Sequence, residues 1–343
     1  MHSLTAVAYS SPEYTHCISD SRFRNSVYEP EADTFLFLEA LDKDARMLCS
    51  LQPERCVEIG CGSGTVITHL RCLLLSSVAA AGPQGIDAQN PERGCRTSSS
   101  PGTFRDPICY AVDVNPLALE ATAITWTDTL LKYFRRAVLA DFGEHSIQAP
   151  IPALLATPVV NSADSAASPS PSVDADDVTS SAFSASTLCL RRFQGDLFDA
   201  LSRIDSVSVL FDVVLFNPPY VPTSLEELQS AIAQKDVITA AWCGGPKGRV
   251  VLDRFLNQLP SVLSRRGICY VVLIKENDVS DVVAFAQAAF RKHLRCCGMS
   301  DLRDEDDVLE AKEVAARYTG EHLSVYRLRY LPRFQNLFEK GGV

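Results

Sequence analysis

The tetrapeptide Asn217-Pro218-Pro219-Tyr220 directly follows an apolar run at 211–216 that is typical of a buried strand. Two adjacent prolines end a strand and hold the backbone in one extended shape. The Asn217 side-chain oxygen and the Pro218 carbonyl oxygen then become two hydrogen-bond acceptors at a fixed spacing. Such a pair can hold both N–H groups of a planar NH2 group, and the Tyr220 ring offers a face on which a flat group can stack.

The chemistry that this arrangement serves is transfer to a weakly nucleophilic nitrogen. The lone pair of a conjugated NH2 group is delocalised into the neighbouring carbonyl or ring. Holding both hydrogens orients the nitrogen and favours charge building on it in the transition state. No covalent enzyme nucleophile is needed when a cofactor carries the reactive group. Taken alone, the tetrapeptide is also compatible with a proline turn in which Asn is a turn residue.

A glycine-rich turn at 58–64, with the sequence Glu-Ile-Gly-Cys-Gly-Ser-Gly, joins a short apolar strand to a helix. The dinucleotide-binding fingerprint requires a glycine at position 65, which is Thr65 here. The pattern resembles the methyltransferase turn, which meets the amino acid part of S-adenosylmethionine. The predicted cofactor-binding residues in this turn are Glu58, Gly60, Gly62 and Gly64.

Acidic residues follow the next two predicted strands. Asp113 ends the second strand, where a carboxylate can accept hydrogen bonds from both ribose hydroxyls, and Val114 follows it. The alternative for Asp113 is a solvated acid in a turn. Asp196 and Leu197 follow the third strand. Asp196 can accept from the adenine amino group, or it can be a helix N-cap.

Strands and helices alternate along the chain, which indicates a mostly parallel sheet with helices on both faces. The glycine turn, the two acidic positions and the tetrapeptide each follow a strand, so all are expected at one crevice beyond the carboxyl ends of the strands. Two stretches rich in Ser, Pro, Ala and Gly are predicted to be disordered insertions. The predicted organisation is a leader at 1–26, a catalytic domain at 27–335 with insertions at 82–106 and 143–187, and a tail at 336–343.

The charge and the cysteine content of the chain indicate which partners, metal sites and cellular locations are expected. The 343 residues carry a formal net charge of -10, which argues against a duplex nucleic acid partner. The 12 cysteines include no Cys-x-x-Cys pair, so no metal site is predicted, and the thiols are expected in a reducing compartment. No secretory signal or membrane-spanning stretch is evident. The predicted location is the cytoplasm, with the nucleus left open.

Four further stretches complete a resemblance to the eukaryotic and archaeal branch of the HemK-like protein-glutamine methyltransferases. Residues 27–35 resemble the Tyr-Glu-Pro-x-Glu-Asp-Thr signature of that branch, with Ala32 and Asp33 in register with its Glu-Asp step. Residues 113–116 match its Asp-x-Asn-Pro, residues 240–249 its Ala-Trp-x-Gly-Gly-x-x-Gly-Arg loop, and residues 275–277 its Lys-Glu-Asn. The two predicted insertions and Cys61, where a small residue such as Ser is usual, depart from the pattern.

The resemblance implies a fold, a reaction and partners. The fold is a single class I S-adenosylmethionine-dependent methyltransferase domain with a mostly parallel, seven-stranded, doubly wound sheet whose last strand is antiparallel. The substrate is the side-chain amide of the glutamine in the Gly-Gly-Gln motif of the class 1 translation termination factor, and the cofactor product is S-adenosyl-L-homocysteine. The partner is a small zinc-binding activator that covers an apolar strand edge, in a heterodimer.

The resemblance also assigns site residues. Asn217, Pro218, Pro219 and Tyr220 would hold the glutamine. The implied cofactor contacts are Tyr28, Pro30, Thr34, Glu58, Gly60, Gly62, Gly64, Asp113, Val114, Asp196, Leu197 and Asn217. Packing and capping remain an alternative for Tyr28 because a helix begins just after it.

Three other functions remain open from the sequence. The same tetrapeptide chemistry serves the conjugated amino group of adenine in DNA, and some relatives are described as acting on histone lysine. A non-catalytic scaffold is the alternative of a different class, with the insertions as recruiting segments.

Overall fold

The computed structural model describes residues 11–80, 107–142, 156–161, 190–201 and 209–335. The predicted insertion at 82–106 and the tail at 336–343 lie outside the described residues, as does most of the insertion at 143–187. The first ten residues of the predicted leader also lie outside them.

Eight strands form one sheet in the order β3-β4-β2-β1-β5-β6-β8-β7. The strands are β1 (Arg55–Ile59), β2 (Ile108–Asp113), β3 (Ala156–Asn161), β4 (Leu190–Gln194), β5 (Phe211–Phe216), β6 (Leu263–Ile274), β7 (Leu309–Tyr318) and β8 (His322–Tyr330). Strands β1 to β6 pair in parallel, and β8 is antiparallel to both of its neighbours, β6 and β7.

Helices connect the strands and cover both faces of the sheet. They are α1 (Thr15–Ser19), α2 (Ala32–Lys43), α3 (Ala45–Leu51), α4 (Thr65–Ala80), α5 (Pro116–Phe142), α6 (Leu225–Gln234), α7 (Val237–Trp242), α8 (Val250–Val262), α9 (Val279–Cys296) and α10 (Pro332–Gln335). Short 3-10 turns lie at Leu197–Leu201, Pro246–Gly248 and Lys275–Asn277. No helix in the described ranges is long and apolar enough to cross a membrane.

The predicted fold class is confirmed, with one difference in strand number. The sheet contains eight strands because β3 adds an edge strand beside β4. Strand β3 (Ala156–Asn161) lies within the segment at 143–187 that the sequence predicts to be a disordered insertion, and the rest of that segment lies outside the described residues. The antiparallel β8 is the predicted last strand. The sequence pattern did not indicate β7, whose alternation is broken by the shift of pairing register between Glu313 and Ala315.

The central strands are continuous apolar runs in the sequence because both of their faces are buried. Strands β1, β2 and β5 are covered on both faces, and each is buried along almost its whole length. One core cluster packs beneath α2 to α5 around Leu70 and Trp126. The other packs beneath α8 and α9 around Phe255 and Phe290. The sheet is thereby fixed rigidly, which holds the loops at its carboxyl end in place.

Candidate active site

The point where the strand order reverses lies between β1 and β5. Ile59, the last residue of β1, pairs with Phe216, the last residue of β5, and also with Val112 in β2. The glycine turn and the tetrapeptide therefore start side by side, and the Asp113 turn starts next to them. This is the crevice in which open α/β sheets bind ligands.

The glycine turn has the backbone conformation that only glycine adopts easily. Gly60, Gly62 and Gly64 have φ of +63°, +52° and +74°. A Cβ on Gly64 would lie 2.6 Å from the Thr122 side chain in α5, whereas a Cβ on Gly62 would meet no atom within 4 Å. Gly64 is thus required by packing, and Gly62 faces open space where a ligand can approach the backbone.

Asp113 ties the glycine turn to the end of β2. Its Oδ2 accepts from the Gly62 N–H at 3.0 Å, and its Oδ1 accepts from the Asn115 N–H at 2.8 Å. Burial raises the pKa of the Asp113 carboxyl, although these backbone hydrogen bonds oppose the shift. Each carboxylate oxygen keeps capacity for a further donor such as a ribose hydroxyl. Next to it, Val114 is 60% exposed at the crevice.

Asn115 explains the Asp-x-Asn-Pro stretch. Its Oδ1 accepts from the Leu117 N–H at 3.0 Å, which caps α5, and its Nδ2 donates to the Ser26 carbonyl at 2.6 Å. The segment that leads to α2 is therefore fastened to the same loop as Asp113.

Glu58 is buried at the end of β1, with 3% of its surface exposed. Its Oε2 accepts from the Ile67 N–H in the first turn of α4 at 2.9 Å. Burial raises the pKa of the Glu58 carboxyl well above its usual range, and the nearby Asp113 charge adds to the shift. The hydrogen bond from Ile67 opposes the shift without cancelling it. The carboxylate form of Glu58 therefore costs folding free energy in the free protein.

We expect Glu58→Gln to stabilise the free protein at pH 8 and to weaken S-adenosylmethionine binding. A raised folded-state pKa means that the folded chain binds more protons than the unfolded chain above about pH 4.3, so this group lowers stability as pH rises. The gain in the free energy of unfolding should therefore be larger at pH 8 than at pH 5.5.

Urea unfolding at both pH values measures this difference, and calorimetry measures the cofactor affinity. Glu54→Gln is the matched control because Glu54 is exposed just before the same strand. A Glu58→Gln protein that is less stable than the wild type at pH 8 would contradict the expectation.

Asp196 and Leu197 lie at the far side of the crevice, after β4. The Asp196 carboxylate accepts from Arg254 Nη2 at 2.6 Å, and about half of its side chain is exposed. The adenine contact predicted for Asp196 stays a prediction, and so does its alternative as an N-cap. Leu197 has a φ of +48°, a strained backbone for a branched side chain. Such strain is typical of functional sites.

The tetrapeptide meets a carboxylate to which the sequence had assigned no role. Asn217 Nδ2 donates to Asp33 Oδ2 at 2.8 Å, and the Tyr220 hydroxyl donates to the same oxygen at 3.2 Å. Asp33 is 2% exposed. Asn217 Oδ1 is buried and has no hydrogen-bond partner in the described ranges. A buried acceptor without a donor is costly, so this atom is poised to accept from a ligand.

The N-terminal signature folds over this point. The Tyr28 hydroxyl donates to Asp33 Oδ2 at 3.3 Å, and the buried Thr34 donates its N–H to Asp33 Oδ1 at 2.7 Å. Pro30 is buried beside them. The structure thus brings Tyr28 and Thr34 to the tetrapeptide through Asp33, and their predicted cofactor contacts stay predictions. The signal that could have indicated Asp33 is an acid in the first turn of α2 just before a run of apolar residues.

Two segments that are distant in the sequence, the 240–249 loop and the Lys-Glu-Asn stretch at 275–277, contact the backbone of the tetrapeptide. Asn277, fully buried, donates through Nδ2 to the carbonyls of Tyr220 at 2.9 Å and Lys247 at 2.8 Å. Its Oδ1 accepts from the Ile274 N–H at 2.8 Å. A Cβ on Gly248 would lie 1.8 Å from the Tyr220 carbonyl oxygen. The 240–249 loop and the Lys-Glu-Asn stretch are therefore supports of the tetrapeptide.

Further pairing fixes the strand-like exit from the tetrapeptide. The Val221 N–H donates to the Trp242 carbonyl at 3.0 Å, and the Gly244 N–H donates to the Val221 carbonyl at 2.9 Å. Arg249 anchors the end of the loop through ion pairs with Asp253 and Asp281. The position of Tyr220 is thus set by hydrogen bonds at its hydroxyl, at its carbonyl and at the next residue, Val221.

The crevice fits S-adenosylmethionine. The glycine turn opens toward it at Gly62, the Asp113 carboxylate has capacity for hydroxyl donors, and Val114 presents an exposed apolar side chain where a flat base can pack. Asn217 Oδ1 supplies an unused acceptor at the same edge. No three metal-ligating side chains gather anywhere in the described ranges. The fold and the site together define an S-adenosylmethionine-dependent methyltransferase.

Relatives with this activity confirm the assignment. The chain is 28% identical to a Mus musculus protein, methyltransferase HEMK2, over 280 residues, which are 81% of this chain and 85% of the relative. It is 25% identical over 264 residues to the eRF1 methyltransferase catalytic subunit mtq2 of Schizosaccharomyces pombe, covering 76% of this chain and 78% of the relative. This chain is thus homologous to the methyltransferases whose motifs it resembles.

The chain is also similar to a further relative over a short stretch and to a solved structure. Over 80 residues, 23% of this chain and 35% of the relative, it is 39% identical to a Methanocaldococcus jannaschii protein named for protein N5-glutamine methylation. The solved structure of the E. cuniculi Mtq2-Trm112 complex covers 89% of this chain and 98% of that chain at 15% identity, with a TM-score of 0.41. No protein-family model matches the chain.

Proposed function

We propose that this methyltransferase methylates the side-chain amide nitrogen of the glutamine in the Gly-Gly-Gln motif of the class 1 translation termination factor. The observation that carries the proposal is the buried, unused acceptor Asn217 Oδ1 in a tetrapeptide fastened on both sides. A glutamine side chain ends in a planar NH2 group with two donors, which is what this acceptor and the Pro218 carbonyl oxygen can hold together.

The residues of the chain act by orientation and by electrostatic stabilisation. When bound, S-adenosylmethionine supplies an electrophilic methyl group. Asn217 Oδ1 and the Pro218 carbonyl oxygen each accept one N–H of the amide, which aims the nitrogen lone pair. Positive charge would build on the nitrogen as it takes the methyl group, and both acceptors would stabilise that charge. One of the two N–H protons would have to leave after transfer for the amide to become neutral again.

Tyr220 contributes its ring and not its proton. Burial raises the pKa of the Tyr220 hydroxyl well above its usual range, and the charge of Asp33 raises it further. The hydroxyl therefore stays protonated and donates to Asp33. The face of the ring remains available to stack against the amide plane.

The relatives support both the substrate and a partner. One relative is named for eRF1 methylation and as a catalytic subunit, and another is named for N5-glutamine methylation. We propose that a small zinc-binding activator forms a heterodimer with this chain. The β3 edge of the sheet, with Val159 and Val160 in its sequence, can accept a covering strand, whereas the β7 edge carries alternating charges. A cytoplasmic location follows from a role in translation termination.

A methyl-transfer assay with the purified termination factor tests the substrate. We expect methyl incorporation with the activator present, and incorporation at background level when the motif glutamine is replaced by alanine, because the accepting nitrogen is gone. Peptide mass spectrometry then places the added methyl group on the glutamine.

The matched control is a termination factor in which a glutamine outside the motif is replaced by alanine, which should be methylated fully. Unchanged incorporation into the factor that lacks the motif glutamine would refute the proposal. A parallel reaction with an adenine-containing DNA duplex tests the adenine alternative. That alternative requires methyl incorporation into the duplex by the wild type and its loss in Asn217→Ala.

A further inference from the structure

Asp33 is a buried carboxylate, and both of its oxygens accept hydrogen bonds. Oδ2 accepts from Asn217 Nδ2 at 2.8 Å and from the hydroxyls of Tyr220 and Tyr28 at 3.2 Å and 3.3 Å. Oδ1 accepts from the Thr34 N–H at 2.7 Å. Asp33 lies in the first turn of α2, where the helix dipole favours a negative charge. A buried charge nonetheless costs free energy that an apolar residue at this position would avoid.

We propose that Asp33 is a positioning residue, which fixes the side-chain amide of Asn217 in the one orientation that presents Oδ1 to the methyl acceptor. The inference rests on the proposed function and deepens it, because the carboxylate acts through Asn217 and not on the substrate.

The reason is the two-fold ambiguity of an asparagine side chain. The oxygen and the NH2 group of an amide have nearly the same size, so packing alone barely distinguishes them. A carboxylate can only accept, so only Nδ2 of Asn217 can face Asp33. The buried Oδ1 atom is thereby left as the acceptor that has no partner among the described residues. If the amide rotated by half a turn, two N–H donors would face the two N–H donors of the substrate.

The same contact also strengthens the acceptor. A charge-assisted hydrogen bond from Nδ2 to a carboxylate polarises the amide, which increases the negative charge on Oδ1. The hydroxyls of Tyr28 and Tyr220 cannot polarise the Asn217 amide in place of Asp33, because they do not carry a negative charge. Burial raises the pKa of both Tyr28 and Tyr220, and the Asp33 charge adds to it, so both stay protonated donors to the carboxylate.

The test is a double-mutant cycle with Asp33→Asn and Asn217→Ala. Asparagine at position 33 keeps the size of the side chain but can face Asn217 with either end of its amide. We expect kcat for the acceptor to fall at least about tenfold in Asp33→Asn, with less than about a twofold change in the S-adenosylmethionine Kd by calorimetry. In the Asn217→Ala background, the same substitution should change kcat less than about twofold, since no amide remains to orient.

The control variant is Glu39→Gln, which makes the same charge change on the outer face of α2. A side-chain amide NMR spectrum of Asn217 gives a readout besides activity. In the wild type, the Nδ2 hydrogen held by Asp33 should be shifted downfield and protected from exchange, and both features should disappear in Asp33→Asn.

Two outcomes overturn the inference: an equal loss of kcat in both backgrounds, or an unchanged Asn217 amide spectrum in Asp33→Asn. A wild-type enzyme that transfers no methyl to the glutamine would contradict the proposed function instead. In that case the amide spectrum and the cofactor affinity still decide whether Asp33 orients Asn217.

Discussion

Replacing Asn217 with alanine should lower kcat for methyl transfer at least about a hundredfold, which corresponds to about 3 kcal/mol of barrier. The substitution removes one of the two acceptors that hold the NH2 group in the transition state. It also leaves the Asp33 carboxylate without its 2.8 Å donor. The Kd for S-adenosylmethionine should change much less than kcat, because Asn217 is only one of the many predicted cofactor contacts and the others are left intact.

Steady-state kinetics with the termination factor and calorimetry with the cofactor measure the two quantities separately. The matched control is Asn257→Ala, since Asn257 is exposed on α8. Its kcat should equal that of the wild type. An Asn217→Ala enzyme with kcat within tenfold of the wild type would show that orientation by Asn217 Oδ1 is not the main contribution to rate.

Replacing Gly248 with alanine should have an effect of similar size, although this residue does not touch the substrate. The φ of Gly248 is +66°, and an added Cβ would lie 1.8 Å from the Tyr220 carbonyl oxygen and 2.6 Å from Asn277 Nδ2. The Tyr220 carbonyl must move, and its hydrogen bond with Asn277 is lost. A displacement of about 1 Å at the tetrapeptide can cost on the order of a hundredfold in rate.

Gly298→Ala separates this clash from simple backbone strain. Gly298 has a φ of +97°, and a Cβ there would meet no atom within 4 Å. This variant should lose only about 1–2 kcal/mol of stability and keep its kcat. Thermal melting and kinetics of both variants, below their melting temperatures, provide the comparison. Equal kcat in Gly248→Ala and the wild type would mean that the loop does not support the tetrapeptide.

Motifs that are contiguous in the chain could be interpreted from sequence because their chemistry is local. The glycine turn at 58–64 needs positive φ at fixed spacing, and two prolines stiffen the backbone after Asn217 wherever they occur. The apolar runs of β1, β2 and β5 are long enough to predict strands, and parallel strands bring their carboxyl ends to one edge. The fold class and the reaction type therefore followed from the sequence.

Elements whose partners are distant could not be predicted in this way. Strand β7 is an edge strand with charged residues, so its alternation is weak, and it forms because β8 pairs with it. Strand β3 lies in a segment whose composition indicates disorder. Hydrogen-bonding partners far along the chain supply the stability that local propensity does not.

The active site likewise contains local features that the sequence indicates and distant contacts that it does not. The sequence by itself determined that Asn217 carries an acceptor and that the backbone beside it is rigid. Only the tertiary structure brought Asp33 to it across 184 positions of the chain. The contact of Asn277 with the Tyr220 carbonyl, 57 positions away, is of the same kind. The orientation of the Asn217 amide depends on the group that it meets in space, which is Asp33 of α2, and the sequence near Asn217 does not contain that group.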